Sequence, residues 1–457
     1  MSSVRRTRAE IEAITSWMLD RARTRDGVCG ADVIYAYGES HDLSLRDGEP
    51  EENSFGVSIG VGIRILHEDG RQGVASAGSL ERDVIESLID WSYENSRKAE
   101  PEEGISLYEG SLANDDTSLA LYDERIANGI THEMRMSCCR EMTGFAKSRS
   151  DKIESVRSAS WGDGVYESHY ASTAGLCGWK LSTLASCGVS VVMRDGVSFE
   201  MGGYGKAERH LEDLDWQAYA QNAVDRTARI LGGKPLPTGK YSLILPPDTA
   251  ALLVEEIGAL FCSSEVHRGR SMMEGKLGEA IAGSCLTLVD DACIPRGAAS
   301  SLFDGEGHPT GKTLLIERGV AKNYLYNMQY AAKDGTVSTG NASRGFSSLP
   351  DVGASNLVVV PGSQTSEALT KSVSNGILVV ELMGLHTMDP VSGDFSLGAK
   401  GLRVEGGVPG APVAGVTIAG NLLDFLRRIV EVGSDQESFG DVRTPTLLVE
   451  DVAVAGC

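Results

Sequence analysis

The hydrophobic pattern of the first part of the chain changes between strand and helix periods. An apolar and aromatic run over 33–37, and an alternation of apolar residues with glycine or polar residues over 55–66, predict two strands. Turns are predicted at 46–49 and 69–70, where glycine follows aspartate. A helix is predicted over 83–96. The order predicts a hairpin followed by a helix.

The helix predicted over 83–96 has a clear apolar side. Val84, Leu88 and Trp91 repeat at helical spacing, so we expect them to face inward. The later pattern predicts helices over 130–148 and 216–231, with alternating strands over 153–194 between them.

A cluster of glycine and proline over 232–239 is the best candidate for a domain boundary. The length of 457 residues also favours two domains, because it exceeds what one core usually supports. Beyond the cluster, short apolar runs and glycine turns dominate, apart from helices near 248 and 421. We therefore expect an α+β fold, with an N-terminal α/β sandwich-like domain over 1–231 and a β-rich C-terminal domain over 232–457.

The segment after this boundary predicts a strand and then a helix. An apolar run over 241–245 ends at Pro246 and Pro247, and Asp248 is placed to cap a helix. Its predicted buried face consists of Leu253, Ile257, Leu260 and Phe261. Glu255 projects away from that face and Glu256 flanks it, which is typical of surface carboxylates.

Composition narrows the function classes. A net charge of −22 argues against binding to a nucleic-acid backbone. Nine scattered cysteines without a metal-ribbon or CxxC pattern are typical of reduced thiols in a cytosolic protein. No window of 18 apolar residues and no secretory signal is present, so we expect a cytoplasmic protein without a membrane partner.

The histidines do not form a zinc motif. A catalytic zinc site needs three protein ligands and an open position for water. The chain has eight histidines, and no two are spaced as in an HExxH-type motif. His67-Glu68 and His132-Glu133 each lack a second histidine four or five residues after the first. No catalytic residue and no metal ligand is therefore predicted.

A series of short motifs in the second half carries a family resemblance through its order and spacing. The motifs are Glu265-Val-His-Arg-Gly-Arg-Ser271, Lys276-Leu-Gly278, Thr287-Leu-Val-Asp-Asp291, 297–307, Ser338-Thr-Gly-Asn-Ala342, Glu381-Leu-Met-Gly384, 390–399 and 416–422. Together they resemble the TldD/PmbA metallopeptidase family, and the resemblance covers nearly the whole chain.

The resemblance implies a metal-free subunit. The zinc-bearing subunit of the family carries a His-Glu-x-x-x-His motif, and in the best register Glu255, Glu256 and Leu260 stand at those positions. That subunit also supplies a cysteine near its last strand motif. The matching region over 421–444 has none, and Cys457 lies too late. The chain is therefore similar to TldE, also called PmbA, rather than to TldD.

The same resemblance implies a partner and a substrate. The partner is a TldD-like subunit that bears the zinc, so no cofactor is expected in this chain. The heterodimer cleaves unfolded or leader peptides, and the metal-free subunit frames the peptide groove. The sequence does not distinguish general peptide degradation from the maturation of one precursor.

Five residues are candidates for contacts with the peptide or the partner. Glu265, His267, Arg268 and Arg270 form a charged turn after the helix, and His386 lies in a family-like turn. A solvated loop is the simpler explanation for the first four, and a hydrogen bond within the loop is the simpler explanation for His386.

Two other functions remain open at this point. The chain is a metallopeptidase in its own right if Glu255, Glu256 or distant residues hold a metal in a non-standard site. It is a peptide-binding module if two metal-free copies form a homodimer.

Overall fold

A computed structural model of the chain describes residues 5–112 and 117–456. Cys457, which lies too late in the sequence to match the metal-binding cysteine of the family, is outside the described residues. Mixed helices and strands build an N-terminal and a C-terminal part, which confirms the predicted α+β class. None of the described helices is long and apolar enough to cross a membrane.

One antiparallel six-stranded sheet organises the N-terminal part, in the strand order β3-β2-β1-β4-β5-β6. Asp47 and Gly48, both with positive φ, form the tight turn between its first two strands, where the sequence predicted one. The strands are β1 Val28–Arg46, β2 Glu49–His67, β3 Gln72–Ala77, β4 Ile153–Ser172, β5 Cys177–Asp195 and β6 Ser198–Glu208. The helices are α1 Arg8–Arg23, α2 Arg82–Lys98, α3 Glu124–Gly129, α4 His132–Arg149 and α5 Trp216–Ile230.

Helices cover one face of this sheet. Trp161 and Val189 on that face pack with Met142 of α4 and Ala223 of α5 in a buried cluster. From Ser182 to Met193 of β5 the burial alternates from residue to residue, so these side chains are buried on the helix side and half-buried on the other side. The sheet therefore has one apolar face and one face open to the rest of the molecule.

The open face carries small residues in register across neighbouring strands. Ser160 lies beside Gly188, and Ser40 lies beside Gly164. We call this surface the serine–glycine face. Its members are Ser54, Gly56 and Ser58 on β2; Gly38, Ser40 and Ser44 on β1; Ser158, Ser160, Gly162, Gly164 and Ser168 on β4; Ser182, Ser186, Gly188 and Ser190 on β5; and Gly203, Gly205 and Ala207 on β6.

One prediction about α2 is wrong. Trp91 is 57% exposed, and the inward side of the helix is formed by Ile85, Leu88 and Ile89. Ser92 sets this orientation, because its hydroxyl donates to carbonyl oxygens of β2 and β3 at 3.0 Å. A Cβ on Gly73 would lie 2.2 Å from the backbone of α2, so glycine permits this close approach.

The C-terminal part contains two six-stranded sheets, ordered β16-β15-β14-β7-β20-β17 and β10-β9-β8-β13-β19-β18. The helix α6 packs between them and contributes to their shared hydrophobic core. The helices are α6 Pro247–Leu260, α7 Ser263–His267, α8 Met328–Lys333, α9 Ser366–Ser372 and α10 Leu422–Arg427. The strands are β7 Gly239–Leu245, β8 Leu288–Asp291, β9 Lys312–Glu317, β10 Val320–Ala321, β11 Ala342–Ser343, β12 Asp351–Val352, β13 Leu357–Val359, β14 Asn375–Met383, β15 Asp394–Glu405, β16 Val408–Asn421, β17 Ile429–Val432, β18 Glu437–Phe439, β19 Val442–Thr444 and β20 Leu447–Ala455.

A buried group of charges joins the two parts. Asp32 on β1 accepts hydrogen bonds from Arg64 on β2 at 2.5 and 3.1 Å, and from Arg344 of the C-terminal part at 2.5 Å. The side chains of all three residues are at most 1% exposed. Glu306 lies 3.8 Å from Arg64 and accepts from the backbone N–H of Met328. One carboxylate therefore holds two arginines at the interface between the parts.

The stability of this junction should depend on pH through Glu306. Burial raises the pKa of Glu306 to about 7, despite the attraction of Arg64. The folded protein keeps this proton at pH values where the unfolded chain has lost it, so the contribution of Glu306 to the free energy of unfolding falls as the pH rises from about 4.5 to about 7. The Glu306→Gln variant lacks this titration. Its stability relative to the wild type should therefore increase by about 3 kcal/mol over that range.

Urea denaturation of both proteins at several pH values within that range measures the difference. The groups that face Glu306 are Arg64, Asp32 and Asp304, and they are unchanged in the variant. Glu317→Gln at an exposed position of β9 is the matched control and should follow the wild type. Parallel stability curves for the wild type and Glu306→Gln would contradict the prediction.

Candidate functional site

The helix α6 begins where the two parts of the molecule meet. Pro247 occupies its first turn, and Asp248 forms an ion pair with Arg226 of α5. The predicted buried face is confirmed: Leu253, Ile257, Leu260 and Phe261 are each at most 6% exposed. The α6 helix is thus fixed by its core face and by one interdomain ion pair.

Two of the three positions that correspond to the family's metal motif, Glu255 and Glu256, lie outside the buried face of α6. Glu255 is exposed and Glu256 is half-buried. Burial, with a contribution from the charge of Glu255, raises the pKa of Glu256. Leu260 lies five residues after Glu255, which corresponds to a rotation of about 140° around the helix. Leu260 accordingly points into the core, and the three side chains do not form a zinc-ligand set.

A cavity of about 710 Å³ opens beside this helix. Asp248, Thr249 and Leu252 of α6 line one side, and Glu381 of β14 and Phe439 of β18 contribute to its walls. The opposite wall belongs to the serine–glycine face, through Ser158, Ser160, Ser186, Gly188, Ser190, Gly203, Gly205 and Ala207. Glu255 follows Asp248 and Leu252 on the same side of α6.

Two further cavities extend this one into a groove. A cavity of about 160 Å³ shares Lys206, Ala207 and Gly440 with the first. A third cavity of about 900 Å³ shares Arg209 with the second. We call the three together the interdomain groove. It runs from α6 to the segment 299–303.

The third cavity repeats the composition of the first. Its wall includes Gly38, Ser58, Ser168 and Ser182 of the serine–glycine face. Lys180 lies here with its ammonium nitrogen 4.4 Å from the ring centre of Phe303. Burial lowers the pKa of Lys180 to about 8. Small side chains along both ends leave room for a bound chain and expose the backbone behind them.

Two strand edges border the groove. The strand β6 is at the edge of the N-terminal sheet, and β18 is at the edge of a C-terminal sheet. Lys206 of β6 connects them, because its Nζ lies 2.9 Å from a carboxylate oxygen of Glu437 and 4.4 Å from the ring centre of Phe439. Edge strands carry backbone groups that are free to pair with another extended segment.

Comparison with known proteins agrees with this architecture. The chain matches the PmbA/TldA metallopeptidase domain 1 over residues 31–96, the central domain over 125–231 and the C-terminal domain over 238–456. The chain belongs to the PmbA/TldD family. The family resemblance of the sequence motifs is thereby confirmed.

Individual members of the PmbA/TldD family align over most of the chain. Metalloprotease PmbA of Escherichia coli O157:H7 is 26% identical, and the alignment covers 100% of this chain and 98% of that protein. A metalloprotease TldD homolog of Haemophilus influenzae is 24% identical, with 89% and 86% covered. The crystal structure of TldE from Thermococcus kodakarensis has a TM-score of 0.85 at 22% identity, covers 98% of this chain and 100% of that one, and shows the same fold.

Four of the five predicted contact residues lie in α7 and in the turn that follows it, which together form the charged turn of the sequence analysis. Arg268 forms ion pairs with Glu265 at 2.8 Å and Asp351 at 2.9 Å, and His267 lies 2.8 Å from Asp334. Arg270 is exposed at the end of the turn. The charged turn is thus anchored to the C-terminal part, and its role in peptide or partner contacts stays a prediction.

The fifth predicted residue, His386, lies on a neighbouring loop. It is exposed in a single helical turn over Leu385–Thr387. A backbone hydrogen bond of 2.9 Å from Met272 to Pro390 connects this loop to the segment after Arg270. None of the five residues is among those that line the interdomain groove over the described ranges.

Sequence reasoning missed the groove itself. Its lining residues come from β4, β5, β6, α6 and β18, which are far apart in the sequence. A signal was present in the alternation of serine and glycine over 158–168 and 182–190, since the small residues recur at the strand period. Small residues at this period lie on one face of a sheet. They are too small to fill the space against a packed helix, so the face is suited to line a groove.

Proposed function

We propose that this chain is the non-catalytic, TldE-like subunit of a heterodimeric TldD/TldE-type zinc metallopeptidase, and that it frames the groove for an unfolded or leader peptide. The observation that carries the proposal is the interdomain groove. It runs past the side of α6 on which the family places its metal motif, and the residues here do not fit a zinc ion. The chain therefore contributes the wall of a peptide site and leaves hydrolysis to the zinc expected in its partner.

The shape of the groove favours an extended peptide. A peptide that binds in extended form pairs its backbone with an edge strand and places alternate side chains in pockets. The edges of β6 and β18 supply such backbone groups, and the serine–glycine face leaves space for side chains of different sizes. Recognition of this kind depends little on sequence, as the cleavage of unstructured peptides requires.

A third strand edge, on β2, offers a surface for the partner. The first half of β2, from Glu49 to Ser58, is exposed. Phe55 is 59% and Val57 is 40% exposed along it. Long exposed edges with apolar side chains tend to pair with another chain. The TldD-like subunit is the occupant that we propose, and the reduced cysteines and acidic surface are compatible with a cytoplasmic complex.

The test is reconstitution. We expect the chain alone to cleave an unstructured peptide at the rate of the buffer blank. Mixing it with a zinc-bearing TldD-like subunit should yield a heterodimer with cleavage at least about tenfold above that of the partner alone, equivalent to about 1.4 kcal/mol of barrier. Size-exclusion chromatography and a quenched fluorescent peptide measure association and cleavage.

The control separates this function from a stand-alone enzyme. A Glu255→Gln, Glu256→Gln double variant should support the partner as well as the wild type does. Peptide cleavage by the purified chain alone that disappears in this double variant would reject the proposal in favour of a non-standard metal site. A chain that neither binds the partner nor changes its cleavage would also reject it.

A further inference from the structure

A cluster of side chains of the types that bind metal ions lies beneath the N-terminal helix α1. Among the described residues, Glu12, His169 and Cys177 are the group of three or more such side chains whose ligand atoms all lie within 4.8 Å of one another. They come from α1, β4 and β5, so the tertiary structure alone brings them together. The sequence analysis assigned no metal ligand here.

The register of the sheet explains the convergence. His169 on β4 pairs with Trp179 on β5, and Cys177 precedes Trp179 by two residues, so the three side chains share one face. The α1 helix covers that face. The indole N–H of Trp179 donates to a carboxylate oxygen of Glu12 at 2.7 Å, which holds Glu12 above the pair.

The distances suit a zinc ion. Tetrahedral bonds of about 2.0 Å to nitrogen and 2.3 Å to sulfur separate these two ligand atoms by about 3.5 Å. His169 Nε2 and Cys177 Sγ are 3.3 Å apart. Glu12 is exposed and has to move by only about 1 Å to complete three ligands of the types that zinc prefers.

Buried polar atoms at the same place lack partners. His169 and Tyr35 pair across β4 and β1, and each is 1% exposed. Within the described residues, His169 Nδ1 and the Tyr35 hydroxyl have no hydrogen-bond partner. Unsatisfied buried polar atoms are costly and often mark the position of an ordered water. Nδ1 is on the other side of the ring from Nε2, so a water between Nδ1 and the Tyr35 hydroxyl would orient the imidazole for binding through Nε2.

We propose that Glu12, His169 and Cys177 form a zinc-binding site that fastens α1 to the β4–β5 hairpin. On binding, the S–H bond of Cys177 breaks, its proton passes to solvent and a zinc–thiolate bond forms, while the imidazole and carboxylate coordinate through lone pairs. Cys177 and Glu12 are exposed, so water occupies the fourth position. Its three ligands are not among the residues that line the interdomain groove, whereas Trp179, which holds Glu12, lines the third cavity.

Cobalt(II) is the probe, because it replaces zinc in tetrahedral sites and its thiolate bond gives an intense near-ultraviolet charge-transfer band. Titration of the full chain should give this band with saturation at one ion per chain, and zinc should abolish it by competition. Zinc should also raise the thermal midpoint of the wild type.

The variants identify the ligands. Cys177→Ser should remove the band and weaken zinc binding at least about tenfold, and Glu12→Gln should weaken it less. Both side chains are exposed, so both variants should fold. Cys293→Ser, at an exposed cysteine of the C-terminal part, should keep the band, as should the Glu255→Gln, Glu256→Gln double variant. No band in the wild type, or an unchanged band in Cys177→Ser, would overturn the proposal.

Discussion

The Asp32→Asn variant should lose about 3–5 kcal/mol of its free energy of unfolding, because it removes the only carboxylate oxygens that both Arg64 and Arg344 contact among the described residues. Asparagine keeps the size of the side chain but carries no charge. Two buried guanidinium groups then face each other across a neutral amide, at the junction of the two parts. Chemical denaturation followed by circular dichroism measures the loss.

Asp195→Asn is a matched control, because it removes the same charge from an ion pair that is exposed rather than buried. Asp195 forms an ion pair with Lys152 at 2.7 Å on the same sheet, and its side chain is 60% exposed. Asp195→Asn should change the stability by at most about 1 kcal/mol, because solvent screens an exposed pair. If Asp32→Asn cost no more than Asp195→Asn, the buried cluster would not be what holds the two parts together.

Local sequence patterns predicted the elements better than their orientation. The strand period over 55–66 and the turn at 46–49 were sufficient to locate β2 and its hairpin. The orientation of α2 was not predictable in the same way. The pattern favoured Trp91 as an inward residue, whereas Ser92 and Gly73 turn the helix so that Trp91 faces solvent. A close helix–sheet contact through small polar residues leaves no hydrophobic signal.

The candidate site was predictable only where it lies within one element. The burial of Leu260 followed from the helical period, and with it the mismatch between α6 and the zinc motif. The groove and the Glu12, His169 and Cys177 cluster each need strands that are distant in sequence to lie side by side. The sequence alone does not show that these residues are neighbours, because their proximity depends on the register of β4 and β5.

A bulky side chain on the serine–glycine face should block peptide cleavage by the reconstituted heterodimer. Ser160 lines the first cavity of the interdomain groove, and its hydroxyl is 3.4 Å from the carbonyl oxygen of Gly188. Phenylalanine is favoured in strands, so Ser160→Phe should leave the sheet intact while its ring fills the space that a peptide needs. We expect kcat/KM for an unstructured peptide to fall at least about tenfold, equivalent to about 1.4 kcal/mol.

We expect a large effect at a residue remote from the zinc because the three cavities of the groove adjoin through shared lining residues. An extended peptide that pairs with a strand edge cannot shift around a single obstruction without losing its backbone hydrogen bonds. Ser148→Phe, at an exposed position of α4 on the other side of the sheet, is the control and should leave cleavage unchanged. Both variants should bind the TldD-like subunit like the wild type in size-exclusion chromatography. Normal cleavage by the Ser160→Phe heterodimer would show that the peptide does not pass along this face. The function of the chain would then be limited to binding its partner.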